Sequence, residues 1–340
     1  MENVTLLGID IAKNIFQLHG VDGKGRAVLR KRLTRDKLSE TIANLPPCTI
    51  VMEACGGANH WCRRFTALGH ITKLISPQFV KPFVKTNKND RNDSEAICEA
   101  ASRPSMRFVS PKSIEQEDIQ LLHRVRSRLI QERTALVNQI RGLLIEFGII
   151  IPQGINKVRK EIPEILENAE NELSYSSRAI FSDLYEELLE KDKRINNYDK
   201  KIEAIFKTNS MCQKISQIEG VGPMSATAIV ATIGDPKVFK NGRHFAAYLG
   251  LVPRQSSSGN KERLLGISKR GDIYIRTLLT HGGRTVVRHV GTKKEDKRSN
   301  WIKELKERRG ANRAAVAVAN KNARIIWALL AKNEEYRKAV

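Results

Sequence analysis

Two aspartates, Asp90 and Asp93, stand three residues apart in the stretch Lys88-Asn89-Asp90-Arg91-Asn92-Asp93-Ser94-Glu95-Ala96. On a helix that spacing puts both carboxylates on one face. Asp and Asn also crowd helix N-termini, where they cap free N–H groups and meet the positive end of the dipole. The pair therefore reads either as a helix start or as half of an acidic cluster, and two further carboxylates favour the cluster. Val4 to Asp10 (VTLLGID) is an apolar, partly β-branched run closing on Asp10, and Thr49-Ile50-Val51-Met52 is another closing on Glu53. The carboxyl ends of strands are where open α/β sheets gather catalytic groups. Asp10, Glu53, Asp90 and Asp93 thus form a candidate tetrad. Two carboxylates about 4 Å apart repel by roughly 4 kcal/mol at an effective dielectric near 20, so such a cluster calls for protons or cations. Hard oxygen donors suit Mg²⁺ or Mn²⁺, and a pair of such ions clamps the attacking and leaving oxygens of a phosphodiester.

The balance of the chain names the same partner. It carries 59 Lys and Arg against 37 Asp and Glu, a net charge of +22, which points to a polyanion, with DNA or another nucleic acid foremost. A membrane surface would attract the same charge, but there is no apolar run near the roughly 20 residues a bilayer span needs. Met1 to Asp10 lacks a basic segment followed by an apolar core, so no secretion signal is expected. The five cysteines are odd in number and form no C-x-x-C pair, which fits reduced thiols in a cytoplasmic protein. Cys55, His60 and Cys62 match no usual zinc spacing and lack an evident fourth ligand.

Elements that position the carboxylates follow from periodicity. Ile15 to Gly20 and Ala27 to Arg32 read as strands joined by the turn Asp22-Gly23-Lys24-Gly25, giving a three-strand meander with the first run. Thr34 to Leu45 has helical spacing and stops at Pro46-Pro47. A helix from Asn59 to Leu68 and a strand from Ile71 to Ile75 complete a β-β-β-α-β-α-β order, an α/β layered domain over residues 1–110. Residues 111–210 change character. Leu122, Val125, Leu129, Leu136, Ile140, Leu143 and Phe147 make a heptad seam in a helix from Glu115 to Phe147. Phe181, Leu184, Leu188, Ile195, Tyr198, Ile202 and Ile205 make another from Ser177 to Phe206. The two helices pair either as an antiparallel hairpin or as an oligomer interface, and the polar link with Pro152 and Pro163 reads as loop plus a short helix.

In the last third, 211–340, Ile218-Glu219-Gly220-Val221-Gly222-Pro223 places a G-x-G turn between helical segments. It is either a tight interhelical turn or the hairpin of a helix-hairpin-helix unit, in which the amides around Gly220 and Gly222 hold a phosphate. Phe245 to Leu251 reads as a buried helix end. Pro253 to Gly271 (PRQSSSGNKERLLGISKRG) combines glycine, serine and the bases Arg254, Lys261, Arg263, Lys269 and Arg270. It reads as a flexible loop lying against phosphate. A serine there is a candidate nucleophile, although such a stretch is also the composition of a linker. From Asp272 onward the chain reads as basic and helical, with Trp301 and Trp327 as anchors.

Taken together and in this order, Gly8-Ile9-Asp10-Ile11-Ala12-Lys13, Met52-Glu53-Ala54-Cys55-Gly56, Asn89 to Ala96, Gly220-Val221-Gly222-Pro223, Tyr248 to Pro253, Ser256-Ser257-Ser258-Gly259 and Ile267 to Asp272 make the chain resemble the IS110-family transposases, or bridge recombinases, of the IS1111-type branch. The resemblance implies a RuvC-like (RNase H-type) N-terminal domain with Asp10, Glu53, Asp90 and Asp93 as a Mg²⁺-binding DEDD site, a coiled-coil middle, and a mainly helical C-terminal transposase domain with a nucleophilic serine. Ser258, just before Gly259, is the leading candidate and Ser257 the alternative. It further implies a covalent phosphoserine intermediate, a non-coding bridge RNA, an active site shared between subunits of a homo-oligomer, and a bacterial or archaeal, nucleoid-associated setting. A junction-resolving nuclease using metal-activated water is the competing enzyme, since RuvC-like folds host that activity too. A non-catalytic nucleic-acid binder with helix-capping carboxylates is the third reading.

Overall fold

Alternation within a single strand decides how the N-terminal half is layered. In β1 (Leu6–Ile11), Leu7 and Ile9 are fully buried on one face, which leaves Leu6, Gly8 and Asp10 on the other. The computed structural model describes residues 4–84, 90–259, 261–292 and 296–337, and the side chains of Asp90 and Arg91 also lie outside it. Among these residues β1 joins β2 (Ile15–Val21), β3 (Ala27–Thr34), β4 (Thr49–Glu53), β5 (Ile71–Ile75) and β6 (Phe108–Val109) in a six-stranded sheet of order β3-β2-β1-β4-β5-β6. The first three strands are antiparallel, β1, β4 and β5 run parallel, and β6 closes the edge antiparallel to β5. The meander and the β-β-β-α-β-α-β order agree with the expectation; β6, two residues long, is too short to show a period.

The Leu7 and Ile9 face packs with Phe16, Leu18, Ile50 and Met52 against α1 (Arg35–Ala43) and α2 (Ala58–Ala67), which contribute Leu38, Ile42, Trp61 and Phe65. Each such side chain contributes about 1.5–3 kcal/mol when withdrawn from water. After the short α3 (Pro77–Val80), α4 (Asp90–Ala101) covers the opposite face, where Ala96, Ile97 and Ala100 join Val51, Ile75 and Leu6. The mixed sheet with helices on both faces is the RuvC-like class anticipated above.

The chain divides into two compact units, residues 1–116 with 232–241, and residues 117–231 with 242–340. In the second, α5 (Ile114–Ile145) and α7 (Tyr175–Thr208) run antiparallel: Arg126 pairs with Asp199, Arg133 with Asp192 at 2.8 Å, and Glu132 with Lys191 at 3.4 Å, so numbers fall on one helix as they rise on the other. An intramolecular hairpin is thereby formed. Phe181, Leu188, Ile195 and Ile202 are buried at strict seven-residue spacing. On α5 the seam drifts, so Leu144 is buried and Leu143, expected in the seam, is 41% exposed. The link holds α6 (Ile155–Glu167), a three-turn helix with Pro163 inside it, where only a short helix was expected. Proline takes away the N–H that would bond four residues back, and the freed Arg159 carbonyl accepts from the Tyr185 hydroxyl at 3.3 Å.

Beyond the hairpin come α8 (Ser210–Ser216), α9 (Pro223–Ile233), α10 (Gly242–Tyr248), the two-stranded sheet of β7 (Pro253–Gln255) and β8 (Leu264–Ile267), and then α11 (Ile273–His289), α12 (Lys297–Arg309) and α13 (Ala311–Ala331). Here α11 lies so close to α13 that a Cβ at Gly283 would run into the Ala315 carbonyl. Trp301 packs, partly buried, on the core of Val287, Ile302 and Val318 and carries the Lys321 ammonium 4.4 Å above its ring.

Candidate active-site carboxylates and the serine hairpin

Parallel pairing of β1 with β4 matches Leu6 to Thr49 and Ile9 to Met52. One step further along that register, Asp10 stands beside Glu53, on the face that α4 covers. The helix can lie this low because residue 8 is glycine: a Cβ there would sit 2.5 Å from the Ser94 carbonyl oxygen and 2.9 Å from Cys98 Sγ. In its place the Gly8 N–H donates to Cys98 Sγ at 3.0 Å, and the thiol reaches the His19 carbonyl at 3.0 Å. Burial pushes the Cys98 thiol up to about 12, so it packs as a neutral group. The clamp of Gly8 on Ser94 and Cys98 brings the first turns of α4 over the strand end.

Glu53 registers the result. Its carboxyl is held above the ordinary range first by burial, then by the charge of Asp10, then by that of Asp93. Three of the four predicted acids therefore share one electrostatic neighbourhood. Asp90 opens α4, and its side chain lies outside the described residues. No group of three His, Cys, Asp or Glu side chains among the described residues is already gathered at metal-ligand spacing. The donor set is all carboxylate oxygen, with Asp10 and Glu53 side by side at the strand ends, so the residues suit a hard divalent cation. All five cysteines are free thiols, with Cys55 exposed two residues beyond Glu53.

The stretch read as a flexible loop is instead a β-hairpin. Glycine and serine content masked a cross-strand register, which requires only backbone groups: Gln255 pairs Leu264, the Ser256 N–H donates to the Arg263 carbonyl at 3.0 Å, and Ser258 forms a bridge with Lys261. Gly259, at φ +57°, takes the left-handed backbone that glycine adopts without strain. The feet of the hairpin are fixed. Ser268 N–H donates to the Val252 carbonyl at 2.8 Å and Lys269 N–H to the Gly250 carbonyl at 3.2 Å. Gly250 at φ +72° and Gly271 at φ +89° pack so tightly on the Arg270 and Tyr248 carbonyls that neither position has room for a Cβ. Arg276, 9% exposed, reaches both feet, donating from Nη1 to the carbonyls of Leu249 and Arg270 at 3.3 Å each.

The three serines are not equivalent on this scaffold. Ser257 Oγ accepts from Gln255 Nε2 at 3.0 Å, on the same face of β7 as Gln255, whereas Ser256 and Ser258 lie on the other face. Arg254 sits at the register irregularity, and Lys269 and Arg270 lie at the foot. Elsewhere, Gly220 turns at φ +85°, and a Cβ there would come 2.8 Å from the Gly282 carbonyl oxygen on α11. Gly220 thus has a packing reason of its own, while Gly222 faces open space. Sequence reading held Gly8, Gly250 and Gly271 only as members of motifs, without their packing roles, and did not single out Arg276. The glycines were visible as punctuation; nothing in the sequence marked Arg276.

Comparisons with known proteins converge on one group. A family model described as "Transposase IS116/IS110/IS902 family" matches residues 212–300, and a DEDD transposase model of IS110 elements matches residues 7–149. The chain is 51% identical over 337 residues to the transposase for insertion sequence element IS1111A of Coxiella burnetii, covering 99% of this chain and 92% of that protein. It is 48% identical to a probable family 20 transposase of Pseudomonas aeruginosa, covering 98% and 99%, and 39% identical to the IS1328 transposase of Yersinia enterocolitica, covering 99% and 100%.

Proposed function

The chain belongs to the IS116/IS110/IS902 family of transposases, and from that premise we propose that it joins the acidic face of its N-terminal unit and the serine of its C-terminal hairpin in one phosphoryl-transfer site. Asp10, Glu53, Asp90 and Asp93 would hold Mg²⁺ or Mn²⁺, which when bound polarises the scissile phosphate and neutralises its charge. Ser258 Oγ attacks the phosphorus. The Oγ–P bond forms as the P–O bond to the departing strand breaks; the seryl proton passes to solvent and the departing sugar oxygen takes one from it. Rejoining reverses the step, with an incoming strand hydroxyl displacing the serine. Neither direction consumes a cofactor.

The observation that carries this reading is the parallel register of β1 on β4, which sets Asp10 beside Glu53 on the face that α4 covers; burial first, then the charges of Asp10 and Asp93, hold the Glu53 carboxyl above the ordinary range. Arg254, Lys261, Arg263, Lys269 and Arg270, with the Gly220 and Gly222 turn, are assigned to nucleic-acid backbone. A non-coding bridge RNA selects the DNA. The protein works as a homo-oligomer in which one subunit supplies carboxylates and another the serine, inside a bacterial or archaeal cytoplasm. Residues 1–110, 111–210 and 211–340 serve as catalytic, coiled-coil and serine-bearing segments. No described helix is long and apolar enough to cross a membrane.

The test uses guide RNA, Mg²⁺ and element-end DNA nicked so that the intermediate is trapped. Wild type should form a protein–DNA adduct that Ser258→Ala and Asp10→Ala both abolish. Free DNA ends without an adduct, indifferent to every serine change, would replace the serine mechanism with metal-activated water.

A further inference from the structure

The hairpin register specifies more than which serine faces outward. Residues directly opposite each other on paired strands share a face, with Cβ atoms about 4.5–5.5 Å apart. Ser258 is the bridge partner of Lys261, whose N–H donates to the Ser258 carbonyl at 3.3 Å. Ser256 stands in the same way opposite Arg263. One face of the hairpin tip therefore carries Ser256, Ser258, Lys261 and Arg263. By alternation the other carries Gln255, Ser257 and Glu262, with Ser257 Oγ already engaged by Gln255. The base nearest Ser258 is Lys261. The base opposite Ser256 stands one cross-strand pair further from the tip on that face. Both Ser258 and Lys261 are exposed, so neither is held by the protein interior.

We propose that Lys261 is a catalytic residue of the serine step, its ammonium contacting a non-bridging oxygen of the phosphate that Ser258 attacks. The proposal rests on Ser258 being the nucleophile. A phosphate placed for attack on its phosphorus by Ser258 Oγ brings its non-bridging oxygens over the neighbouring side chain on that face. The Lys261 side chain, four carbons long, spans the gap from an opposite Cβ. During attack, negative charge grows on those oxygens as the Oγ–P bond forms and the P–O bond to the departing strand breaks. A cation drawn onto those oxygens as their charge grows favours the transition state over the bound ground state. Lys261 takes no part in the proton transfer, so the proton balance of the step is unchanged. Arg263, opposite Ser256, is left with a flanking phosphate and a binding role alone.

The contrast between the two bases is the test. The full-length protein, with guide RNA, Mg²⁺ and nicked element-end DNA, is assayed for adduct formation in a single turnover across DNA concentrations. Lys261→Met should lower the saturating rate by about 10²-fold, the cost of losing one donor aimed at developing charge, while the DNA concentration giving half-maximal rate moves little. Lys261→Arg should restore most of that rate, since a cation is returned to the same position. Arg263→Met should weaken DNA binding more than Lys261→Met does, with a smaller loss of saturating rate. A Lys261→Met protein that reaches the wild-type rate at saturating DNA would reduce Lys261 to a tether and overturn the proposal. So would an adduct mapped to Ser257, on the face that Lys261 does not share. If wild type forms no adduct under conditions where DNA is cleaved, the serine reading itself falls, a result distinct from either of these.

Discussion

A single missing methyl group sets the depth at which α4 meets the sheet. Gly8 lets the Ser94 carbonyl and Cys98 thiol approach the strand, and the first turns of α4, with Asp93, follow. Gly8→Ala would place a carbon 2.5 Å from a backbone oxygen that no rotamer can move. The expected cost is about 1–3 kcal/mol of stability, the range for overpacking a tight contact. Metal-dependent cleavage should fall further than the melting temperature alone explains, because Asp93 is lifted from Glu53. Thermal melts beside cleavage rates check this. A variant with lowered stability and full activity at a temperature where it is folded would separate Asp93 from the site. At this scale Asp10 and Glu53 were legible in the sequence because each ends an apolar run, and Asp90 and Asp93 because of their three-residue spacing. Gly8 was legible only as part of a motif, since a close approach between elements leaves no local signature.

At the scale of elements, the serine hairpin is positioned from below. Arg276 donates to the Leu249 and Arg270 carbonyls from a site only 9% exposed. Arg276→Leu takes the donor from the buried Leu249 carbonyl and the part-buried Arg270 carbonyl, a loss of about 1–3 kcal/mol for a buried group left unsatisfied. Adduct formation should drop while DNA binding by the intact basic face persists, as measured by adduct yield against affinity. The other element-scale device joins the hairpin helices to α11. His123, 4% exposed, meets the Tyr274 hydroxyl at Nδ1 and Thr227 Oγ1 at Nε2, each at 3.0 Å. Burial, then the nearby Arg126 charge, push it down to about 4. The folded protein thus binds the histidine proton later than the unfolded chain, whose histidine titrates near about 6.5. Stability from this group is complete above that pH and is lost as pH falls towards about 4, by about 3 kcal/mol in all. His123→Gln should flatten that part of the pH dependence of chemical unfolding; an unchanged slope would show that folding leaves the histidine's proton affinity unshifted. Periodicity made the two long helices readable, and strict sevens on α7 made its seam correct. The hairpin was misread because its pairing uses backbone groups that composition does not reveal. Arg276 and His123 were silent because their partners lie on other elements.

At the scale of the whole molecule, the chain carries a surplus of +22 and divides into two compact units. If one subunit supplies carboxylates and another the serine, Asp10→Asn and Ser258→Ala proteins, each inactive alone, should regain activity when assembled together. Equal mixing should restore a readily measured fraction of wild-type cleavage, and a mixture as inactive as its components would place both halves in one chain. The family and its broad architecture were readable from ordered motifs, while the way each unit fixes its reactive groups required the register of β1 on β4 and of Ser258 on Lys261. The most direct measurement is mass-spectrometric localisation of the phosphoryl bond in the trapped protein–DNA adduct. The expected result is a phosphodiester on Ser258, formed only with divalent metal and absent from Asp10→Asn. A bond on Ser256 or Ser257, or cleavage with no protein-bound phosphate, would contradict the joint action of the acidic face and Ser258.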